Sequence, residues 1–169
     1  MPKLLLRNHP DSPSPVERIE VDMVRTAPNI LRLTYSIFGD LDEVSIPRAR
    51  PAVRTDGLWK HSCFEAFLGA TPGYYEFNFS PSSQWAAYRF EAHRQGMHDV
   101  ATAEPSVDWH AGTLVATFGL PSDVTGRLGL SAIIEDRDGT PSFWALAHPS
   151  GPPDFHHAAC FAAELPPAD

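Results

Sequence analysis

Three polar side chains alternate along one short and otherwise aromatic stretch of the sequence. Glu76, Asn78 and Ser80 are spaced two apart in the run YYEFNFSP. Alternate residues of a β-strand point to the same face, so this spacing predicts a row of hydrogen-bonding groups about 7 Å apart, opposite an apolar face. Such a row suits a ligand with several hydroxyl groups. It also fits the solvent-facing side of an antiparallel sheet, and the spacing leaves both interpretations open.

Glu65 stands in a strongly apolar run, CFEAFL. A carboxylate among apolar neighbours is expected to be paired or to have a function. Arg89 is the candidate for an ion pair, and contact with a ligand is the alternative. Trp59, six residues earlier, can supply a flat apolar wall. Aromatic faces combined with carboxylate or amide groups are typical of sites that bind sugars.

The elements that must position these residues are predicted to be short strands. Alternating apolar and polar residues between Gly-, Pro- and Ser-rich turns indicate about nine to eleven strands and no long amphipathic helix. This pattern predicts an all-β fold, an antiparallel β-sandwich of jelly-roll or immunoglobulin-like type, with residues 1–169 as a single domain. The predicted strands are 17–25, 30–38, 44–47, 62–69, 74–80, 84–91, 97–100, 105–110, 113–120, 128–135 and 142–147, with 157–165 as a last strand or a short helix.

Charge and composition narrow the classes of partner. The formal net charge of −8 argues against nucleic acid and anionic membranes as partners. No apolar run reaches the roughly 20 residues of a membrane helix, and the first residues lack the apolar region of a signal peptide. Cys63 and Cys160 lie in apolar runs, which predicts buried free thiols. We therefore expect a cytoplasmic protein whose partner is a small molecule.

The motifs around these residues resemble a known family. The pattern LW-x5-E-x-F, followed by YYEF-x-x-SP, resembles the family 9 carbohydrate-binding modules and the wider DOMON-like superfamily. The runs WKH, QWAAYRF, FWALAHP and PDFHH are similar to a bacterial DOMON-like group described as ligand-binding domains. The chain departs from the carbohydrate modules at Lys60 and His61, where that family usually has two Asp residues.

This resemblance implies a β-sandwich without enzymatic activity. In the carbohydrate modules two tryptophans grip a sugar, and a glutamate and alternate polar residues of the next strand hold it. For this chain the resemblance implies non-catalytic binding of a sugar or sugar-like metabolite in a pocket on one sheet face. The implied ligand-binding residues are Trp59, Glu65, Glu76, Asn78, Ser80 and Trp144, with Arg89 and His148 nearby.

A histidine-rich segment offers alternatives. Asp154, His156 and His157 have side chains that suit zinc or a similar divalent cation, although their spacing is no recognised metal signature. Hydrogen bonds that hold the Pro-rich loop are the other interpretation. Some DOMON relatives bind haem through Met and His, and Met97 or Met23 with His148 could mimic this pair. A haem- or metal-binding redox module is therefore a second hypothesis. A structural or interaction domain whose pocket is filled by its own side chains is a third. We expect no resident cofactor.

Overall fold

A computed structural model describes residues 2–168, in which twelve β-strands alternate with turns and three single-turn 3-10 helices. Met1 and Asp169, the ends of the predicted domain, lie outside the described residues. None of the helices in residues 2–168 has the length and apolar character needed to cross a bilayer. The strands are β1 (Leu4–Asn8), β2 (Val16–Ala27), β3 (Ile30–Gly39), β4 (Cys63–Ala70), β5 (Tyr74–Phe79), β6 (Trp85–Phe90), β7 (His98–Asp99), β8 (Ser106–His110), β9 (Thr113–Gly119), β10 (Val124–Glu135), β11 (Pro141–Ala145) and β12 (Ala163–Glu164).

The predicted all-β antiparallel class is confirmed, and the strand count was slightly low. β1 was missed because its alternation, with Leu6 buried and Leu5 exposed, is too short to recognise. The segment 44–47 was wrong as a strand, since Val44 makes only one isolated bridge, to Asp136. The segment 157–165 was predicted as either a strand or a short helix. It contains a short form of each, a 3-10 turn at Ala158–Cys160 followed by the two-residue strand β12.

The strands form one curled antiparallel sheet that folds over on itself through β1. The residues Leu4–Leu6 pair with β2, whereas Arg7 and Asn8 pair with β11. One half, the first sheet, is ordered β1-β2-β3-β9-β8. The other half, the second sheet, is ordered β11-β10-β4-β5-β6-β7, with β12 beside β10. The two halves face each other across the main core.

That core is built from the inner faces of both sheets. Leu33 and Leu114 of the first sheet meet Phe64, Leu68 and Phe77 of the second, and all five side chains are fully buried. Burying each such side chain stabilises the fold by about 1.5–3 kcal/mol. Because alternate residues point outward, the same strands present a second set of side chains on the outer face of the second sheet.

A covering segment, residues 146–162, lies over that outer face. Phe155 and Phe161 of this segment are buried against Phe67 of β4. Gly129 of β10 permits the close approach, since a Cβ there would lie 2.9 Å from the carbonyl oxygen of Cys160. The outer face of the second sheet is therefore not a solvated surface but the floor of an enclosed space.

Candidate functional site

The register of β4, β5 and β10 brings four polar side chains together on this floor. Glu65 of β4 lies directly opposite Asn78 of β5 and, on its other side, opposite Ser131 of β10. Glu76 lies two pairs further along β5, on the same face of the sheet. All four residues are buried, with at most 5% of their surface exposed. Antiparallel pairing of these particular residues therefore concentrates two carboxyl groups and an amide on one covered patch of sheet.

A cavity of about 360 Å³ opens above this patch. Its size falls within the roughly 300–1,000 Å³ that is usual for small-molecule sites. The ionisable residues that line it are Glu65, Glu76, Arg94 and His156. The apolar residues that line it are Trp59, Phe90, Met97, Ile133, Phe143, Pro153 and Phe155.

The carboxyl group of Glu65 is nearly isolated. Its one hydrogen bond within residues 2–168 comes from the hydroxyl of Ser131, whose Oγ lies 3.3 Å from Oε2. Burial raises the pKa of Glu65 well above its usual value, and the nearby Glu76 carboxyl raises it further. Both effects favour the protonated, neutral form of the Glu65 carboxyl group.

The carboxyl group of Glu76 belongs to a short polar chain. Oε1 lies 3.3 Å from Nε2 of His156, whose Nδ1 lies 2.7 Å from the hydroxyl of Tyr74. Burial raises the pKa of Glu76 to about 7 and lowers the pKa of His156 to about 4. His156 is thus a neutral imidazole at pH 7, and its Nε2 can carry the proton that faces Glu76 when Nδ1 accepts from Tyr74.

The amide of Asn78 has no hydrogen-bond partner in the described part of the chain. Its side chain is completely buried, and neither Oδ1 nor Nδ2 meets a partner with ordinary hydrogen-bond geometry. The amide lies close enough to Glu76 to lower the pKa of that carboxyl, but this opposes only part of the effect of burial. A buried amide left unpaired costs about 1–3 kcal/mol. Asn78 does not itself line the cavity, so a polar ligand or water would have to reach the amide beside Glu65 and Glu76, which do.

Exposed apolar side chains flank the mouth of the cavity. Trp59 lies on the 3-10 turn Leu58–Lys60, which begins after Gly57 in the left-handed region at φ 78°. The indole packs edge-on against Tyr88, with ring centroids 6.2 Å apart, yet 38% of the residue is exposed. Met97 is 47% exposed at the same mouth. These side chains offer apolar contact to a ligand without being needed by the core.

An ion pair ties the covering segment to the turn after β6. Arg94 places Nη2 3.0 Å from Oδ1 of Asp154, and His93 places Nε2 2.7 Å from Oδ2. Burial alone would raise the pKa of Asp154, but the hydrogen bonds from His93 and Arg94 hold it below its usual value. The contact closes one side of the cavity and engages the guanidinium group of Arg94.

A second cavity, of about 630 Å³, lies on the other side of His156. Its walls include Tyr74, His93, Arg127 and His157, and neither Glu65 nor Glu76 lines it. The smaller cavity is the better candidate site because the buried carboxyl pair and the exposed indole both border it.

Comparison with solved structures supports the architecture. The chain is similar in fold to the crystal structure of a candidate carbohydrate-binding protein from Bacteroides uniformis ATCC 8492, with a TM-score of 0.61 and 15% sequence identity. The alignment covers 96% of this chain and 84% of that protein. No family model matches the sequence. No curated protein sequence matches it either.

Four of the residues singled out by the sequence lie at or beside the cavity. Trp59, Glu65 and Glu76 line it, and Asn78 lies in the floor opposite Glu65. Glu65 does not pair with Arg89, the partner suggested by the sequence. Arg89 lies on the opposite face of the second sheet, where its guanidinium carbon is 4.8 Å from the centre of the Tyr75 ring.

Three other predicted residues are not brought to the cavity. Trp144 points into the main core, 4% exposed, and its Nε1 donates to Ser142 Oγ at 2.9 Å. Ser80 follows the end of β5, where its hydroxyl accepts a 2.8 Å hydrogen bond from Ser82 within the turn. His148 engages the carbonyl oxygen of Arg7 through Nε2 at 2.7 Å. Trp144 was wrongly placed because both faces of β11 carry large apolar residues.

The three proposed metal ligands face different partners. Asp154 is bound to His93 and Arg94, and the Nδ1 of His157 accepts a hydrogen bond from the backbone of Ala159 at 3.0 Å. His156 points into the cavity. Across residues 2–168, no group of three or more His, Cys, Asp or Glu side chains is arranged to hold a metal ion. Asp154 and His157 instead form hydrogen bonds that hold the loop, which is the other interpretation of these residues.

Sequence reasoning missed the residues that close the cavity. Phe143 and Phe155 lie within the runs that carried the family resemblance, but no role was assigned to them. Arg94 and Ser131 gave no local signal. Their contribution depends on the fold of the covering segment and on the register between β4 and β10.

Proposed function

We propose that this chain is a non-catalytic binding protein of the DOMON-like type, which takes a sugar or sugar-like metabolite into the cavity above Glu65 and Glu76. The observation that carries the proposal is the buried, unpaired amide of Asn78 beside these two carboxyl groups. Native folds rarely leave such groups unsatisfied, so a ligand with several polar groups is the natural partner.

The walls of the cavity support a sugar in particular. The exposed indole of Trp59 and the rings of Phe90, Phe143 and Phe155 can contact the C–H surfaces of a pyranose ring. The carboxyl groups and the amide can then bind its hydroxyl groups. The fold is shared with a protein described as a candidate carbohydrate-binding protein, which agrees with this assignment.

A thermal-shift screen against monosaccharides, disaccharides and polyols tests the proposal. A ligand present at 100 times its Kd stabilises the folded state by about 2.7 kcal/mol. For a domain of this size, that energy raises Tm by about 5–10 °C. The Trp59→Ala variant, with affinity about tenfold weaker, should lose about half of the shift at the same ligand concentration while keeping its own cooperative transition.

Two results would contradict the proposal. Absence of stabilisation by every sugar and polyol in the screen would remove the sugar class. Turnover of any stabilising glycoside, followed by release of reducing ends, would show a catalytic pair of carboxyl groups in place of a binding pair.

A further inference from the structure

We infer that the ligand of this cavity carries a protonated amine, so that its substrate class is amino sugars or similar cationic metabolites. This inference rests on the proposed function and deepens it. The geometry that carries it is a pair of buried carboxyl groups on adjacent strands, which face a cavity with aromatic walls. No Lys or Arg side chain of residues 2–168 forms an ion pair with either carboxyl group.

Glu65 has no ionic partner among residues 2–168. No Lys, Arg or His nitrogen of the described chain lies within 4.0 Å of its carboxyl group, and its hydrogen bond to Ser131 is with a neutral hydroxyl. A carboxyl group in such a place stays neutral or receives a cation from outside. A ligand that brings its own positive charge would therefore gain most from this position.

The two basic residues at the cavity are already engaged. Arg94 donates to Asp154 through Nε and Nη2, at 3.2 and 3.0 Å. His156 lies between Tyr74 and Glu76 and is neutral at pH 7 because burial lowers its pKa to about 4. Arg94 forms no ion pair with Glu65 or Glu76. Its charge lowers the pKa of both carboxyl groups, but by less than burial raises them.

The apolar walls are also suited to a cation. Aromatic faces attract ammonium groups, and the attraction grows to about 2 kcal/mol when the cation is desolvated. The rings of Trp59, Phe90, Phe143 and Phe155 border the cavity above the carboxyl groups. An ammonium group can thus contact a ring while it donates hydrogen bonds to Glu65 or Glu76.

A metal ion fits the site less well. Calcium takes six to eight oxygen ligands. The sheet floor places four oxygen-bearing side chains next to each other, those of Glu65, Glu76, Asn78 and Ser131. No metal-binding group of three acidic, His or Cys side chains exists within residues 2–168.

Binding of an ammonium group should release protons. A neutral glutamic acid that meets the ligand's ammonium group becomes a carboxylate paired with it, and the carboxyl proton leaves to the buffer. Because burial raises the pKa of both Glu65 and Glu76, binding near pH 7 should release protons from this pair. The titratable groups that interact with this pair are Tyr35, Cys63, Tyr74, Tyr88, Arg94 and His156.

The test is titration calorimetry of the full chain with matched sugars: glucose, glucosamine and N-acetylglucosamine, and the same three forms of galactose. Choline, putrescine and calcium chloride are titrated alongside. Each sugar and amine titration is run at pH 7 in phosphate and in HEPES, because the difference in heat between these buffers counts released protons. Calcium chloride is titrated in HEPES alone, since phosphate would precipitate it. We expect the free amine to bind at least tenfold more tightly than the neutral forms, with proton release.

The outcomes separate the inference from the proposed function. Equal or tighter binding of a neutral sugar overturns the inference and leaves sugar binding standing. Binding of choline or putrescine, but of no sugar, supports the cationic ligand and overturns the sugar class. Binding of calcium in place of any amine overturns the inference, and so does binding of nothing, which overturns the sugar proposal as well.

A matched pair of variants tests whether the preference for the amine depends on the carboxyl group of Glu65. Glu65→Gln keeps the shape of the buried side chain and removes its acid group, so the preference for the amine should fall at least tenfold. Glu164→Gln alters an exposed carboxyl group on β12 and should leave the preference unchanged. Equal preference in Glu65→Gln and in the unaltered protein would overturn the assignment to this cavity.

Discussion

Glu65 on β4 lies directly opposite Asn78 on β5, with both side chains on the covered outer face of the second sheet. One residue has a carboxyl group with a raised pKa, and the other has an amide without a hydrogen-bond partner in the described chain. Neither arrangement favours stability. Glu65 lines the cavity, and Asn78 lies beside it, fully buried in the sheet floor. Buried polar groups that lack partners within the protein are expected at functional sites, where a ligand can supply the missing hydrogen bonds.

Trp59 should contribute to binding and little to folding. Its side chain is exposed at the cavity mouth, so Trp59→Ala should weaken ligand binding about tenfold, the effect of losing one aromatic contact. Phe38→Ala, which alters an exposed ring of the first sheet, is the matched control. Titration calorimetry of both variants measures the effect. A loss of affinity in Phe38→Ala equal to that in Trp59→Ala would show that the cavity is not the site.

The Asn78 amide should lower the stability of the ligand-free protein and strengthen ligand binding. Asn78→Leu has nearly the same shape and removes two unsatisfied polar atoms, so the ligand-free protein should gain about 1 kcal/mol or more in free energy of unfolding. The same change should abolish ligand binding. Urea denaturation with and without ligand measures both effects.

The control for that variant is Ser142→Ala. The Ser142 hydroxyl accepts a 2.9 Å hydrogen bond from Trp144, so its removal should lower stability. If Asn78→Leu also lowers stability, the native amide must be satisfied by ordered water or by the Glu76 carboxyl group, and the amide is then not isolated.

Glu76 should make stability depend on pH. Its pKa is about 7 in the folded protein and near 4.5 in the unfolded chain, so the folded state binds the extra proton between these values. The favourable contribution of this proton is present below pH 4.5 and is lost as the pH rises through 7, by up to about 3 kcal/mol. Glu76→Gln should therefore gain stability relative to the unaltered protein between pH 5 and 8.

Chemical denaturation at a series of pH values measures this difference. Glu164→Gln, which alters an exposed carboxyl group on β12, is the control for the loss of one negative charge. A constant difference for Glu76→Gln would mean that Glu76 is solvated and that the cavity floor is open to water.

Trp144 should matter for the core and not for the ligand. Trp144→Phe removes buried volume from the space between the sheets and should lower the free energy of unfolding by about 1–3 kcal/mol. Ligand affinity, measured well below the Tm of the variant, should stay within about twofold. A large loss of affinity there would restore the role of second sugar-binding tryptophan that the family resemblance implied.

Alternation within strands could be read from the sequence, and it placed Glu65, Glu76 and Asn78 correctly on one face. It could not show that residues 146–162 cover this face, because that depends on Gly129 admitting the Cys160 carbonyl group. Nor could it decide between the faces of β11, where Phe143 faces the cavity and Trp144 faces the core. A local pattern specifies which residues share a face, whereas the long-range pairing of strands decides what that face meets.

The most direct test of the binding site is a crystal structure of the protein with the compound that raises its Tm the most. The account predicts ligand density between the indole of Trp59 and the carboxyl groups of Glu65 and Glu76, with a ligand atom or bridging water on the Asn78 amide. Density confined to the second cavity or to the outer surface, with the space above Glu65 filled by the protein's own side chains, would contradict it.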